Sequence, residues 1–178
     1  GVAGFFLAVH FGAWVSSLEF TSVLISVVVV STSPLWVALL EVVFLKTRLS
    51  GVVIAGLITV LFGGLMIGLA GSGSSEETSA ATNDQLIGGM LSAIGAISFA
   101  VYLIIGRRVR KKVSLTPYIA MVYGMAALVL LLTVLVTGTQ VMGAEPQDYL
   151  WILLLALVPQ LIGHTSFNYA LAYLPATL

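Results

Sequence analysis

The sequence predicts an all-α polytopic membrane protein, and three observations support this fold class. The 178 residues are 60% hydrophobic and 8% charged, with a mean hydropathy of +1.14, whereas a soluble domain has roughly 25% charged residues. Six apolar stretches have the length of membrane-spanning helices. Apart from Glu41, every charged residue lies between these stretches or at their ends. The predicted spans are about Val2–Leu18, Val23–Leu45, Val52–Ala70, Leu86–Gly106, Pro117–Thr137 and Tyr149–Tyr173.

The first span has three polar or aromatic residues on one helical face, His10, Trp14 and Ser17. A neutral histidine donates and accepts hydrogen bonds, and an imidazole can titrate near neutral pH. His10 therefore indicates either a proton-coupling group or a packed, hydrogen-bonded histidine. Trp14 lies one turn further along the same face and is a candidate substrate contact.

The second span contains Pro34 near its midpoint, preceded by Ser31-Thr32-Ser33. Proline frees the carbonyl four residues back, here that of Val30, and inside a bilayer that carbonyl must find another partner. We expect a helix that is bent at mid-membrane, with a nearby hydroxyl bonded to Val30. Pro34 is a candidate functional bend, and Trp36 a candidate aromatic wall for an organic substrate; structural kinking and core packing are the alternatives.

Glu41 is the one charge inside a span, seven residues after Pro34 and seven before Arg48. It is expected to pair with Lys46 or Arg48, with an ion-coupling role as the alternative.

In the third span, Gly64 and Gly68 form a G-x-x-x-G pair that permits close helix approach. The fourth span repeats a small residue every four positions and also carries Tyr102, a further candidate aromatic wall.

A short, polar and acidic segment separates the third and fourth spans and is the natural boundary between two halves of the chain. We expect residues 71–85 to form an acidic extracytoplasmic linker. All cations lie in the loops after the second and fourth spans, which must share one side of the membrane. The positive-inside rule places those loops in the cytoplasm. These loops contain Lys46 and Arg48, and Arg107, Arg108, Arg110, Lys111 and Lys112.

The sixth span carries Gln160, His164 and Asn168 at a spacing of four residues, which places them on one face of a helix. Polar side chains inside a membrane usually face a bundle interior or an aqueous cavity. This stripe predicts a substrate cavity, with interhelical hydrogen bonding as the alternative.

An internal repeat is a further prediction. The end of the first span, AWVSSLEFTSVL, aligns without gaps with SFNYALAYLPAT at the end of the sixth. These two spans are predicted to cross the membrane in opposite directions, as in the inverted repeats of transporters. The alternative is a chance match between two helices with interfacial aromatics.

Two segments resemble the EamA-type carriers of the drug/metabolite transporter superfamily: SLEFTSVLISVVVVSTSPLWVALLEVVFLKTRLSG, and LIGHTSFNYALAYLPATL near the end. The resemblance implies ten helices in two five-helix repeats of opposite orientation. The six spans would be helices three to eight, and Leu174–Leu178 would begin the ninth. Residues 1–70 would then close the first repeat and 86–178 open the second, so we expect a fragment. The family usually has a glutamate where this chain has Thr47.

The resemblance implies a secondary transporter that moves a small organic metabolite or drug by alternating access, with export the commoner direction. The alternative is a non-transporting sensor or assembly subunit. The expected partners are a small-molecule substrate and the lipid bilayer, with possible proton coupling and the oligomeric state left open. We expect the cell membrane as the location.

Enzymatic and nucleic-acid functions are disfavoured by the sequence. There is no serine elbow, H-E-x-x-H pair, P-loop or intramembrane carboxylate pair, and without cysteine there is no disulfide or cysteine metal site. We therefore expect no enzyme, no cofactor and no metal. The run Arg107–Lys112 favours a juxtamembrane basic anchor over a nucleic-acid contact.

Overall fold

The computed structural model describes residues 1–71 and 79–174. Within these ranges the chain is built from helices and short connections. In chain order the elements are α1 (Val2–Ser17), α2 (Val23–Val30), α3 (Ser33–Leu45), α4 (Gly51–Gly71), α5 (Ser79–Arg110), α6 (Leu115–Thr137), α7 (Pro146–Leu155), a π-helical segment (Ala156–His164) and α8 (Thr165–Ala170).

Four helical segments of the described chain are long and apolar enough to cross a membrane. They are Val23–Leu45, Asn83–Arg110, Leu115–Thr137 and Pro146–Ala170. They match the second, fourth, fifth and sixth predicted spans. Two further apolar helical segments are Val2–Ser17 and the Gly51–Ile67 part of α4. At 1.5 Å per residue, the 16 residues of α1 extend about 24 Å, against a hydrocarbon thickness of about 30 Å.

The second span is interrupted where Pro34 predicted a bend. α2 ends at Val30, and α3 begins at Ser33 with Pro34 in its first turn, a position where the missing N–H costs no hydrogen bond. The Ser33 hydroxyl donates to the Val30 carbonyl at 2.6 Å, and Thr32 donates to Val29 at 2.7 Å. The expectation that a neighbouring hydroxyl would bond the Val30 carbonyl is confirmed.

The centre of the bundle is the contact of α1 with α5 and α6. Gly4 lets α1 approach α6 closely, since a Cβ added there would lie 2.6 Å from the Val122 carbonyl oxygen. On α5 the predicted small residues face the core: Ser92, Ala96 and Ala100 have no exposed surface. A Cβ added to Gly88 would lie 2.7 Å from the Thr21 side chain. The small residues of the fourth span therefore pack within the chain.

Three buried serines connect α1, α2 and α5. The Ser17 hydroxyl donates to the Trp14 carbonyl at 2.5 Å. Having one proton, it must accept from Ser26, which lies 2.6 Å away. Ser92 donates to Ser26 at 3.2 Å. None of the three serines is exposed, and the hydroxyls form one directed series that satisfies buried polar groups.

The charged end of the bundle is tied together by arginines of α5. Glu41, 1% exposed, forms an ion pair with Arg107. Lys46 and Arg48, which the sequence predicted as partners, are both exposed. The buried carboxylate pairs with Arg107 instead, so that prediction was wrong. Sequence separation on one helix suggested a local partner, but α3 packs on α5, and the buried carboxylate meets the cation of the neighbouring helix.

Candidate functional site: a cavity between interrupted helices

A cavity of about 630 Å³ lies between α1, the α2–α3 junction, α5 and the segment that joins α7 to α8. Its walls are mainly apolar and aromatic, and none of the described residues that line it is Asp, Glu, Lys or Arg. A concave, largely apolar space with a few polar groups is typical of small-molecule sites. The lining residues are His10, Phe11, Trp14, Val15, Leu18, Val30, Ser31, Ser33, Pro34, Phe99, Leu155, Pro159, Gln160 and His164.

Two histidines on different helices meet at this cavity. The His10 and His164 ring centroids are 6.2 Å apart, and Phe99 of α5 lies 4.9 Å from the first ring and 5.4 Å from the second. Nδ1 of His10 is 2.9 Å from the Gly95 carbonyl oxygen. Because a carbonyl only accepts, Nδ1 carries the proton, and Nε2 of the neutral ring is an acceptor.

Trp14 extends the aromatic surface on α1. Its ring stacks on His10 at a centroid distance of 5.9 Å and an interplanar angle of 18°. With Phe11 and Phe99 this forms an aromatic wall, a surface suited to flat organic molecules. Neither phenylalanine was predicted, because a single phenylalanine in an apolar helix carries no sequence signal that separates a cavity wall from ordinary packing.

Three polar atoms of the lining residues are buried without a hydrogen-bond partner in the described structure: Trp14 Nε1, Gln160 Oε1 and His164 Nδ1. Leaving a buried polar atom unpaired costs about 1–3 kcal/mol. The three atoms belong to residues of α1 and the π-helical segment that line the same cavity. They are one N–H donor, one carbonyl acceptor and one imidazole nitrogen, each enclosed by neighbouring atoms while its residue borders the cavity.

Gln160 and His164 lie in a part of the sixth span that is not a regular α-helix. Between Ala156 and His164 the backbone is π-helical and includes Pro159. π-helical turns are rare and occur frequently at functional sites. Across the cavity lies the α2–α3 interruption with Ser33 and Pro34, so two irregular helices border the same space.

Asn168, the third member of the predicted stripe, lies outside the cavity in a fully hydrogen-bonded cluster. Its Oδ1 accepts from the Tyr102 hydroxyl at 2.6 Å, and its Nδ2 donates to the Tyr123 hydroxyl at 3.2 Å. Its carbonyl accepts from Nε of Arg110 at 2.9 Å. Tyr102 and Asn168 have no exposed surface. Their contacts hold α5, α6 and α8 together.

The structure therefore brings five of the eight predicted site residues to one cavity and separates the other three. His10, Trp14, Pro34, Gln160 and His164 line it. Tyr102 and Asn168 lie in the tyrosine–asparagine cluster, and Trp36 packs against the core with its Nε1 donating to Thr32 Oγ1 at 3.3 Å. In the described part of the chain, no group of three or more His, Cys, Asp or Glu residues is placed to hold a metal ion.

Helices of membrane-spanning length, with an uncharged cavity among them as the candidate site, indicate an integral, multi-pass helical membrane protein. The model of the EamA-like transporter family matches residues 86–178, which is 93 of the 178 residues. The chain belongs to the EamA-like transporter family. The matched region contains α5, α6 and the interrupted sixth span. No curated protein and no solved structure matches the chain.

Proposed function

We propose that the protein is a secondary transporter that moves a small, uncharged organic molecule across the cell membrane by alternating access, in the export direction. The observation that carries this proposal is the 630 Å³ cavity, whose lining residues from two helices include unpartnered polar atoms. Family membership supports a membrane transporter. An uncharged wall does not compensate the charge of an ionic cargo, which favours a neutral molecule.

The two irregular helices beside the cavity support alternating access. Transporter sites are typically built where helices are interrupted, and movement around a central site opens it to either face. The α2–α3 junction and the π-helical segment are two such interruptions, and both border the cavity. We place the cationic loops after α3 and α5 in the cytoplasm and the boundary between two inverted repeats at residues 71–85.

Counterflow in proteoliposomes containing the full-length protein tests the proposal. A panel of labelled sugars, nucleosides, amino acids and amine drugs would be offered to vesicles loaded with the same unlabelled compound. Accumulation of a neutral compound, a sugar or a nucleoside, above that of protein-free vesicles is expected, and accumulation of an amine drug alone would contradict a neutral cargo. Absence of accumulation for the whole panel, with the protein shown to be folded, would instead support a non-transporting sensor or assembly subunit.

Proton coupling through the histidines is a separate part of the proposal. The imidazole is the side chain whose charge ordinarily changes near neutral pH, and both histidines of the chain line the cavity. We expect His164→Gln to flatten the pH dependence of counterflow, because glutamine keeps polar contacts but carries no titrating proton. Unchanged pH dependence in both His164→Gln and His10→Gln would refute proton coupling and leave transport itself intact.

A further inference from the structure

A second, smaller cavity of about 170 Å³ lies at the cationic end of the bundle, away from the substrate cavity. It is lined by Leu45 and Thr47 after α3, and by Arg107, Arg108 and Lys111 of α5 and the turn that follows it. Three of its five lining residues are cations. This concentration of positive charge around a concave space indicates an anion.

The balance of charge around this cavity remains positive. Glu41 neutralises Arg107, while no described ion pair neutralises Arg108 or Lys111. Two helix C-termini end nearby, and each contributes about −0.5 of an elementary charge. Three cations, one carboxylate and two helix ends therefore leave a net charge of about +1.

Arg108 and Lys111 are both exposed, and one hydrogen bond fixes the Arg108 guanidinium beside the cavity. Nη2 of Arg108 donates to the Phe44 carbonyl at 3.0 Å, which leaves Nη1 and Nε as donors. The Thr47 hydroxyl is buried and has no hydrogen-bond partner in the described structure. An anion with several oxygens could accept from these groups at once.

We infer that this cavity binds a phosphate group, held by Arg108 and Lys111 with Thr47 beside them. Arginine and lysine are the usual phosphate-binding side chains. An apolar side chain borders the cavity, since Phe44, whose carbonyl accepts from Arg108, is 61% exposed. A phosphate that belongs to a lipid could place its acyl chains there, whereas free phosphate would not use this surface. The inference does not depend on transport.

The experiment measures thermal stabilisation of the full-length protein in a neutral detergent. The added probes are phosphatidylglycerol, phosphatidylcholine and inorganic phosphate. Lys111→Gln is compared with Lys112→Gln, because Lys112 is the adjacent cation and does not line the cavity. We expect phosphatidylglycerol to raise the unfolding temperature, with about fivefold weaker apparent affinity in Lys111→Gln and unchanged affinity in Lys112→Gln.

The outcomes separate the two sources of phosphate. Stabilisation by phosphatidylglycerol alone supports a lipid headgroup, and equal stabilisation by inorganic phosphate supports a free phosphate at the same residues. Equal weakening in Lys111→Gln and Lys112→Gln would overturn the site in favour of a diffuse basic surface. Stabilisation by phosphatidylcholine equal to that by phosphatidylglycerol, or by none of the probes, would overturn it as well.

Discussion

The Glu41 carboxylate and the Arg107 guanidinium form an ion pair that joins α3 to α5. The carboxylate is buried, and the arginine side chain is 15% exposed. Removing one partner of a buried pair leaves the other charge uncompensated, which costs about 3–5 kcal/mol, whereas replacing both by neutral groups costs much less. The pair therefore contributes to holding these two helices together at the cationic end, beside the bond from Arg108 to the Phe44 carbonyl.

We expect Arg107→Gln to lower the free energy of unfolding by about 3–5 kcal/mol, because it leaves the Glu41 carboxylate buried without its cation. The double variant Glu41→Gln/Arg107→Gln should recover a large part of that loss. Denaturant unfolding in mild detergent measures both, with the exposed Lys112→Gln as control. Additive losses in the double variant would contradict a direct pairing.

The serine series makes a second prediction. Ser26→Ala removes the acceptor of Ser92 and the donor to Ser17, so two hydroxyls lose a bond inside the bundle. The expected destabilisation is about 1–3 kcal/mol. Ser166→Ala is the matched control, since its hydroxyl bonds the Ile162 carbonyl at an exposed position. Equal unfolding temperatures for Ser26→Ala and Ser166→Ala would contradict a stabilising role of the serine hydrogen bonds.

Gly4 and Gly124 give a third prediction, because both are helical glycines with different surroundings. Gly4→Ala places a methyl group against the Val122 carbonyl and Met125, which should cost about 1–3 kcal/mol and separate α1 from α6. Gly124→Ala meets nothing within 4 Å and should be neutral or stabilising by up to about 1 kcal/mol. The unfolding midpoint of Gly4→Ala should therefore fall, and that of Gly124→Ala should stay the same or rise.

The fourth prediction separates the members of the polar stripe on the sixth span. Gln160→Leu should reduce counterflow about tenfold with little loss of stability, since its Oε1 has no partner in the described structure and one hydrogen bond to cargo is worth about 1–1.5 kcal/mol. Asn168→Ala should instead lower the unfolding temperature, because it breaks bonds to Tyr102 and Tyr123.

Leu161→Ala is the control for this comparison, since Leu161 is 49% exposed and does not line the cavity. Full transport by Gln160→Leu would remove this residue from the substrate site. A stable Asn168→Ala variant that has lost transport would show that the asparagine acts on cargo rather than on the bundle.

Local chemistry in the sequence predicted local structure well. Pro34 and the hydroxyls before it led to the interrupted helix and to the bond on the Val30 carbonyl. Spacing on one helix placed Gln160 and His164 on a common surface, and both line the cavity. These features depend on residues within about one turn of each other, and one sequence contains that information.

Features that depend on the neighbouring helix could not be predicted in this way. The partner of Glu41 is 66 residues away on α5, and the partner of Asn168 is Tyr102, also 66 residues away. The π-helical backbone was missed because no residue pattern distinguishes it from an α-helix containing Pro159. Asn168 follows His164 by one turn of the regular helix α8 and bonds Tyr102 instead of lining the cavity.

The unequal anchoring of the sixth span has a mechanical consequence. A π-helical hydrogen bond encloses one residue more than an α-helical one. Conversion of the segment to regular α-helix would therefore rotate the helix before it relative to the helix after it by about 100°, the angle per residue. α8 is clamped by Asn168, whereas α7 has no buried residue. Such a rotation would turn α7 about its own axis while α8 stays in place, and Gln160, which lies between the two helices, would move with it.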